Sequence, residues 1–501
     1  MLKRWTLENF KPIRERLDLP LAPLTVLAGL NSSGKSSFLQ SILLVAQTLQ
    51  NQAMDEPLIL NGPLVRLGTY QDTCNERLQG TQISIGFELS VLIPISTPPV
   101  VLTSGKRSTS DGHITIFLDA HFDSTTPTSD EARASATRAV VEDVSVSVSI
   151  ADHESPQTIP DIRITAKRVP ADVMESFKTA LPENVGRFIP ARPQNHLAQM
   201  GAPAFSEERT VGVARWAHFI PTAFVGTASW GQVERDIFSY FSFAEQEILS
   251  SFTRTLRYLG PLRAEPDLVQ SFSTSGQPDD VGTKGEHAAA VFAANRQQVI
   301  LFFDPISKGL RKAHFEEAMD TWLRYLGVAE HVNTQAGSVP NVSWVVRSAP
   351  ENKERPLSAV GVGVSQVLPI LVAGLLSPPD AILIMEQPEL HLHERPQARL
   401  ADFFYGLTRV GKQVFIETHS AVLIGQLRYL MVKGGQEARD ATAIYFVTQD
   451  EQGDAKFEPI RISKRGAVEN WPDGFFDESY RQEDLITEEG MRAGGGTRGH
   501  A

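Results

Sequence analysis

The chain has 501 residues, 42% apolar and 21% charged, with 59 acids against 47 bases and a net charge of −12. This is the composition of an ordinary globular protein of more than one domain, and its acid excess argues against a surface that coats nucleic acid throughout, while leaving room for a local basic groove. No apolar run reaches the roughly 18–20 residues of a membrane span, MLKRWTLENF is too polar for a signal peptide, and Cys74, the only cysteine, excludes an intrachain disulfide and fits a cytoplasmic location.

LTVLAGLN (24–31), bounded by Pro23 and Gly29, predicts a buried strand. KSSFLQSILLVAQTLQNQ (35–52) predicts a helix, because Phe38, Leu39, Ile42, Leu43, Val45 and Leu49 recur near helical spacing. LNGPLVRLGTYQD (60–72) carries turn residues at Asn61, Gly62 and Pro63. From 76 to about 250 the pattern changes to runs such as QISIGFELSVLIPI, HITIFLDAHFD, VEDVSVSVSIAD and IRITAKRV. They alternate apolar and polar residues or are rich in Val and Ile, and so predict strands joined by Ser/Thr/Pro/Gly loops. The absence of a heptad makes this a sheet-rich insertion and not a coiled-coil arm. YLGPLRAEP (258–266) closes it, and SFSTSGQPDDVGTKGE (271–286) reads as a mobile polar segment.

A helix is expected over KAHFEEAMDTWLRYLG (312–327). GVGVSQVLPILVAGLL (361–376) reads as a glycine turn entering an apolar helix that Pro378-Pro379 ends. AILIME (381–386) and KQVFIETHS (412–420) read as strands around the amphipathic helix RPQARLADFFYGLTRVG (395–411). Strand, helix, strand at that spacing implies a parallel pair. AIYFVTQDEQGDAKFEPIRI (443–462) predicts a hairpin about Gly453, and the Gly-rich end predicts a flexible tail.

GLNSSGKS (29–36) has the spacing of a phosphate loop, Gly, four residues, then Gly-Lys-Ser. Its glycines allow a tight loop whose backbone N–H groups face a phosphate. Lys35 would reach the β- and γ-phosphates, Ser36 would ligate Mg²⁺, and the following helix aims its positive end at the same anion. Such a loop needs a magnesium-holding acid at a strand end, and Glu386, some 350 residues later, is the candidate. Small GTPases keep the two parts close together, whereas a large insertion between them is the layout of ABC-type ATPases.

The ordered set GLNSSGKSS, YLGPLR, GVGVSQVLP, LIMEQPELHLHE and FIETHS resembles bacterial RecF/SMC-type ABC ATPases, nearest the OLD-family ATPase domains and their stand-alone relatives without a Toprim nuclease. The resemblance spans about 1–75 and 255–465. It implies an α/β P-loop NTPase of ABC type, a parallel-sheet core with antiparallel strands, interrupted by a β-rich insertion lobe. The implied division is 1–75 and 256–480 for the ATPase domain, 76–255 for the lobe and 481–501 for the tail. ATP and Mg²⁺ are the implied cofactors. Gly29, Asn31, Ser32, Ser33, Gly34, Lys35, Ser36 and Ser37 would hold phosphate, and Ser36 and Glu386 the metal. His419 would be the switch histidine, Leu390 to Glu394 the D-loop, and Gln71 either the loop glutamine or a plain turn residue. In the family two subunits sandwich ATP between phosphate loop and signature segment. Here Gly361 takes the place of the signature serine, Gly363 keeps the glycine, and Ser365 lies one helical turn on.

Gln387 stands where the family places a catalytic glutamate. Glutamine cannot accept a proton, although it can orient water. Glu389 and Glu417 are the nearest other carboxylates, and either one is open as the base. His391 and His393 are two apart, as strand metal ligands would be, but with no third ligand nearby the D-loop reading is preferred. Arg263 and DVGTKGE could line a partner groove, with a solvated loop the simpler reading. Arg209, Arg215, Arg235, Arg254 and Arg257 suit phosphate contacts but are interleaved with acids. No Glu followed by Asp-x-Asp follows ETHS, so any nuclease or toxin effector would be a separate protein.

The resulting expectation is a slow ATPase switch, a homodimer or higher even oligomer around ATP, with no membrane partner. The resemblance adds a DNA-related role in repair or in anti-phage or anti-plasmid defence. A non-hydrolysing ATP-dependent scaffold or a DNA clamp is the alternative.

Overall fold

The structure is a computed structural model that describes residues 1–51, 56–75, 77–78, 80–93, 112–124, 139–151, 159–167, 185–190, 209–225, 232–264, 270–271, 280–336, 341–348, 353–470 and 472. The expected tail 481–501 and residues 272–279 of the expected mobile segment lie outside these. From the N-terminus, β1 (Leu2–Glu8) and β2 (Leu17–Pro20) precede β3 (Leu24–Gly29), which leads into α1 (Lys35–Gln50) and the single turn α2 (Tyr70–Thr73). Seven strands follow: β4 (Ile83–Ile93), β5 (Gly112–Ser124), β6 (Ala139–Ala151), β7 (Ile159–Lys167), β8 (Val185–Pro190), β9 (Arg209–Ala217) and β10 (Ile220–Val225). Then come α3 (Gln232–Thr253), β11 (Leu256–Leu259), β12 (Gln270–Ser271), α4 (Ala288–Asn295), β13 (Val299–Asp304), β14 (Gly309–His314), α5 (Phe315–Leu326), β15 (His331–Ala336), β16 (Asn341–Ser348) and β17 (Lys353–Pro356). The last third is α6 (Val362–Leu376), β18 (Ile382–Glu386), α7 (Glu394–Thr408), β19 (Gln413–Thr418), α8 (Ala421–Lys433), α9 (Gly435–Asp440), β20 (Thr442–Gln449) and β21 (Ala455–Pro459).

The central sheet has the order β11-β18-β19-β3-β20-β21. Its pairs are parallel except for β20 with β21, the expected hairpin. β19 therefore stands between β18 and β3, and the carboxyl ends of five parallel strands share one edge. The strands are buried on both sides, so they read as continuous apolar runs. Alternate residues go to different cores. Val26, Leu383, Met385 and Ile416 pack toward α4 to α8, whereas Leu27, Ile382, Ile384 and Phe415 pack toward α1.

A second sheet, β10-β9-β8-β7-β6-β5-β4-β1-β2, is antiparallel throughout. β4 pairs with β1, Trp5 opposite Phe87, so the strand-rich segment continues a sheet that the first twenty residues begin. Helix α1 lies between the two sheets and is buried on most of its circumference. Its polar residues are accordingly bonded inside: Ser41 accepts from the Trp5 indole at 2.9 Å, and Gln47 accepts from the Val65 N–H at 2.9 Å.

Two elements correct the sequence reading. Helix α3 lies inside the stretch read as strands and loops. Ala244, Ile248 and Phe252, spaced by four, give it a buried stripe, and Phe252 packs on Trp5 and Phe87. Second, Lys312–His314 belong to strand β14, paired with β13, so the expected helix begins at Phe315. Glu316 and Glu317 in its first turn suit the helix dipole, and Gly327, left-handed, ends it.

Lys412 carries a testable consequence of burial. Its ammonium is enclosed at the end of α6, donating to Gly374 and Leu375 carbonyls at 2.6 and 3.0 Å. Burial lowers its pKa from 10.5 to about 7. An unfolded lysine keeps its proton to about 10.4, so between the two values the unfolded chain binds more protons and stability rises with pH. Wild type should therefore gain stability relative to Lys412→Met between pH 7 and 10 in denaturant melts. A pH-independent difference would contradict the assignment.

Candidate functional site

β3 is wholly buried and delivers the phosphate loop to the sheet edge. Gly29 is needed there: φ is +144°, and a Cβ would lie 2.2 Å from the Val447 carbonyl oxygen. Gly34 has φ +107°, and its Cβ would meet Ala455 at 2.7 Å. Ser33 is buried, whereas Asn31 and Ser32 are exposed and Ser36 and Ser37 half-buried. The Ser32 carbonyl is tied to β20 by Gln449 at 3.0 Å. Lys35 is only 2% exposed and bends over the loop to donate to the Gly29 carbonyl at 3.2 Å and to that of Leu30. Gly34 caps α1 without a side-chain acceptor, so the first-turn N–H groups are available to an anion.

Opposite the loop stands a set of buried acids. Glu386 ends β18 and Glu417 lies directly beside it on β19 as register partner, both on the α1 face. Ser36 Oγ donates to Glu417 Oε2 at 2.8 Å, with Oε1 at 3.0 Å. Glu386 Oε1 instead accepts from the Tyr258 hydroxyl at 2.8 Å, and its carbonyl from Arg263 at 3.0 Å. Glu389 Oε1 accepts from the His419 N–H at 2.6 Å, while its Oε2 is buried without a partner. Burial first, then the neighbouring Glu417, pushes the Glu386 carboxyl up to about 7. Burial likewise raises Glu389 and Glu417. Burial lowers Lys35, and burial with Lys35 lowers His419, with the Gly29 backbone beside it acting in the opposite direction. The donor set of Ser36 and carboxylate oxygens is hard and anionic, and so fits Mg²⁺.

Gln387 follows Glu386 with φ +44°, a conformation few non-glycine residues adopt, held by its N–H on the Glu417 carbonyl at 2.7 Å. His391, at φ +61°, lies in a turn and His393 caps the start of α7, so neither is on a strand, which removes the geometry of a strand metal pair. Among the described residues no group of three metal-binding side chains occurs. That turn meets the start of α6, where a Cβ on Gly363 would lie 3.1 Å from the His391 carbonyl oxygen. Ser365 is buried and donates to the Val362 carbonyl at 2.7 Å. Gln71 is exposed on α2, which is tied to α1 through Lys11, bonded to Thr73 by its N–H and to Gln40 by its ammonium.

Arg263 is a correction. It is 8% exposed, so it is neither solvated nor in an open groove. Its Nε and Nη2 are buried without partners, and burial lowers its pKa to about 10. The DVGTKGE loop holds its segment in place, since Gly260 and Ala264 N–H groups donate to Thr283 and Lys284 carbonyls at 2.8 Å. Tyr258 escaped the sequence reading. Its signal was present in YLGPLR, since a strand beside β18 must aim alternate residues at the Glu386 side.

A family model described as an AAA ATPase domain matches residues 292–424, and one described as a protein of unknown function (DUF3696) matches 438–485. The chain carries an α/β phosphate-loop ATPase fold. Strand order and phosphate loop say so together with the family match: β19 stands between the strand of the loop and the strand of the acid, and the two parts come from opposite ends of the chain. Solved structures similar to this ATPase include the SMC head domain from Thermotoga maritima (10% identity, 92% of this chain and 99% of that one, TM-score 0.35). Another is an SMC head bound to the C-winged helix domain of ScpA (12%, 93% and 99%, 0.37). A third is an SMC head with an extended coiled coil bound to the C-terminal domain of ScpA, from Pyrococcus furiosus (9%, 92% and 96%, 0.35). No curated protein matches the sequence. No helix among the described residues is long and apolar enough to cross a membrane.

Proposed function

We propose that this ATPase is a slow switch: ATP closes two copies around the nucleotides, and hydrolysis releases them. The observation that carries the reading is the pairing of an intact phosphate loop and buried acids with Gln387 at the position of the base. Mg²⁺ would be held by Ser36 and the acids, and when bound it neutralises charge on the phosphates. Lys35 and the α1 N-terminus bind the anion, His419 senses it from the Gly29 side, and Gln387 orients water without taking its proton.

Exposed apolar side chains support association at this edge. Leu30 in the phosphate loop, Leu262 after β11 and Val362 at the start of α6 are all exposed. A second copy laid on the edge would cover such surface. The division into 1–75 and 256–480 for the ATPase domain and 76–255 for a lobe remains part of this proposal, as do a cytoplasmic location and a separate nuclease or toxin effector. A role in DNA repair or in anti-phage or anti-plasmid defence comes from the family resemblance.

Steady-state hydrolysis measured beside nucleotide binding tests the switch. Turnover below about 1 s⁻¹ at saturating ATP is expected, at the slow end for enzymes. Turnover of tens per second would contradict it. Binding without hydrolysis above the Lys35→Ala background would favour the ATP-dependent scaffold or clamp, the reading that Gln387 also permits.

A further inference from the structure

We infer that Glu417, and not Glu386 alone, is the acid that meets the metal beside Ser36. This rests on the nucleotide reading above and assigns a residue within it.

The argument begins with strand order. α1 leaves the end of β3, so Ser36, its second residue, hangs over whatever lies next to β3 on the α1 face. β3 is flanked by β19 and β20, so of the two acid-bearing strands its neighbour is β19, not β18. Strands lie about 4.8 Å apart, so Glu386 starts one strand spacing farther from the loop than Glu417. Register then fixes the face. Glu417 is opposite Leu27 on one side and Glu386 on the other, and Leu27 packs in the core on the α1 side. Both acids therefore face α1, with Glu417 the nearer.

Side chains agree with the backbone. Both Glu417 oxygens lie within 3.0 Å of Ser36 Oγ, the hydroxyl that a phosphate-loop site gives to its metal. Glu386 is held away from Ser36 on its other flank, by Tyr258 from β11 and by Arg263 at its carbonyl. An ion on Ser36 Oγ, with metal–oxygen distances of about 2.1 Å, would touch the Glu417 carboxylate directly or through one water. Glu386 would lie behind it, an outer acid steadied by Tyr258. The ETHS segment thus supplies two functions at one strand end, Glu417 toward the metal and His419, just past β19, toward the loop.

ATP affinity of the full chain, measured with Mg²⁺ and again in EDTA, separates this assignment from the reading it rests on. Wild type should bind ATP more tightly with Mg²⁺. Glu417→Gln should bind ATP at least as tightly as wild type in EDTA, since it removes an anion beside the phosphates, and lose about tenfold or more of the Mg²⁺ gain, in the range by which metal-shell substitutions act. Mn²⁺ with ATP, followed by electron paramagnetic resonance, should show the same loss. If Ser36 and Glu417 serve one ion, Ser36→Ala with Glu417→Gln should lose no more than the worse single variant. A Glu417→Gln protein that melts like wild type and retains the full gain would overturn the assignment, as would additive losses. Wild type that binds no ATP in either condition would overturn the parent reading and this one with it.

Discussion

Lys35→Ala is expected to lower ATP affinity by about 100-fold or more and to remove hydrolysis. The ammonium is almost fully enclosed by the loop that would receive the phosphates, and Glu417 and Glu389 attract it from the other side. Truncating one partner of a buried charge pair costs about 2–5 kcal/mol, which at 1.4 kcal/mol per tenfold is a loss of about 30- to 4000-fold. The variant also leaves Glu417 without the cation that faces it, so phosphate would meet uncompensated negative charge. Isothermal titration with ATP and Mg²⁺ measures the loss, with a melting curve to show that the fold survives. Wild-type affinity in a folded Lys35→Ala protein would remove the phosphate loop from the account.

Gln387→Glu should act in the opposite direction and raise kcat by about 10- to 100-fold, with ATP affinity nearly unchanged. The substitution is isosteric, and the left-handed backbone at 387 already holds a residue of this shape. It adds the proton acceptor that glutamine lacks, and a positioned base contributes about 10²–10⁴ in rate. The lower end is expected because Glu386 and Glu417 already crowd the site with negative charge, which raises any new carboxyl beside them. If kcat stays at the wild-type value, the slow step is not proton removal, and Gln387 is not what makes this ATPase slow.

What the sequence revealed depended on whether the signal was local. GLNSSGKS spells its own loop, and each of its glycines answers to a backbone constraint found in the fold. ILIME ends in an acid at the edge where it was expected. Glu417 could be named only as one of two spare carboxylates, because its nearness to Ser36 follows from β19 standing between β18 and β3, and a linear chain does not print strand order. Arg263 was read as solvated for the same reason: its guanidinium is enclosed only once β11 lies beside β18. α3 was missed because aromatic residues in FSYFSF favour strands locally, while its buried stripe shows only when Trp5 and Phe87 are present to receive it. Ser365 keeps the spacing of a signature residue, and its hydroxyl rests on the Val362 carbonyl of its own helix.

Sedimentation velocity of the purified chain with ADP, with ATP and Mg²⁺, and with a slowly hydrolysed ATP analogue tests the central claim most directly. The account predicts a monomer with ADP, a dimer or larger even oligomer with ATP, and a longer-lived one with the analogue. Lys35→Ala should stay monomeric throughout. A monomer in all three conditions, with bound nucleotide verified, would contradict it.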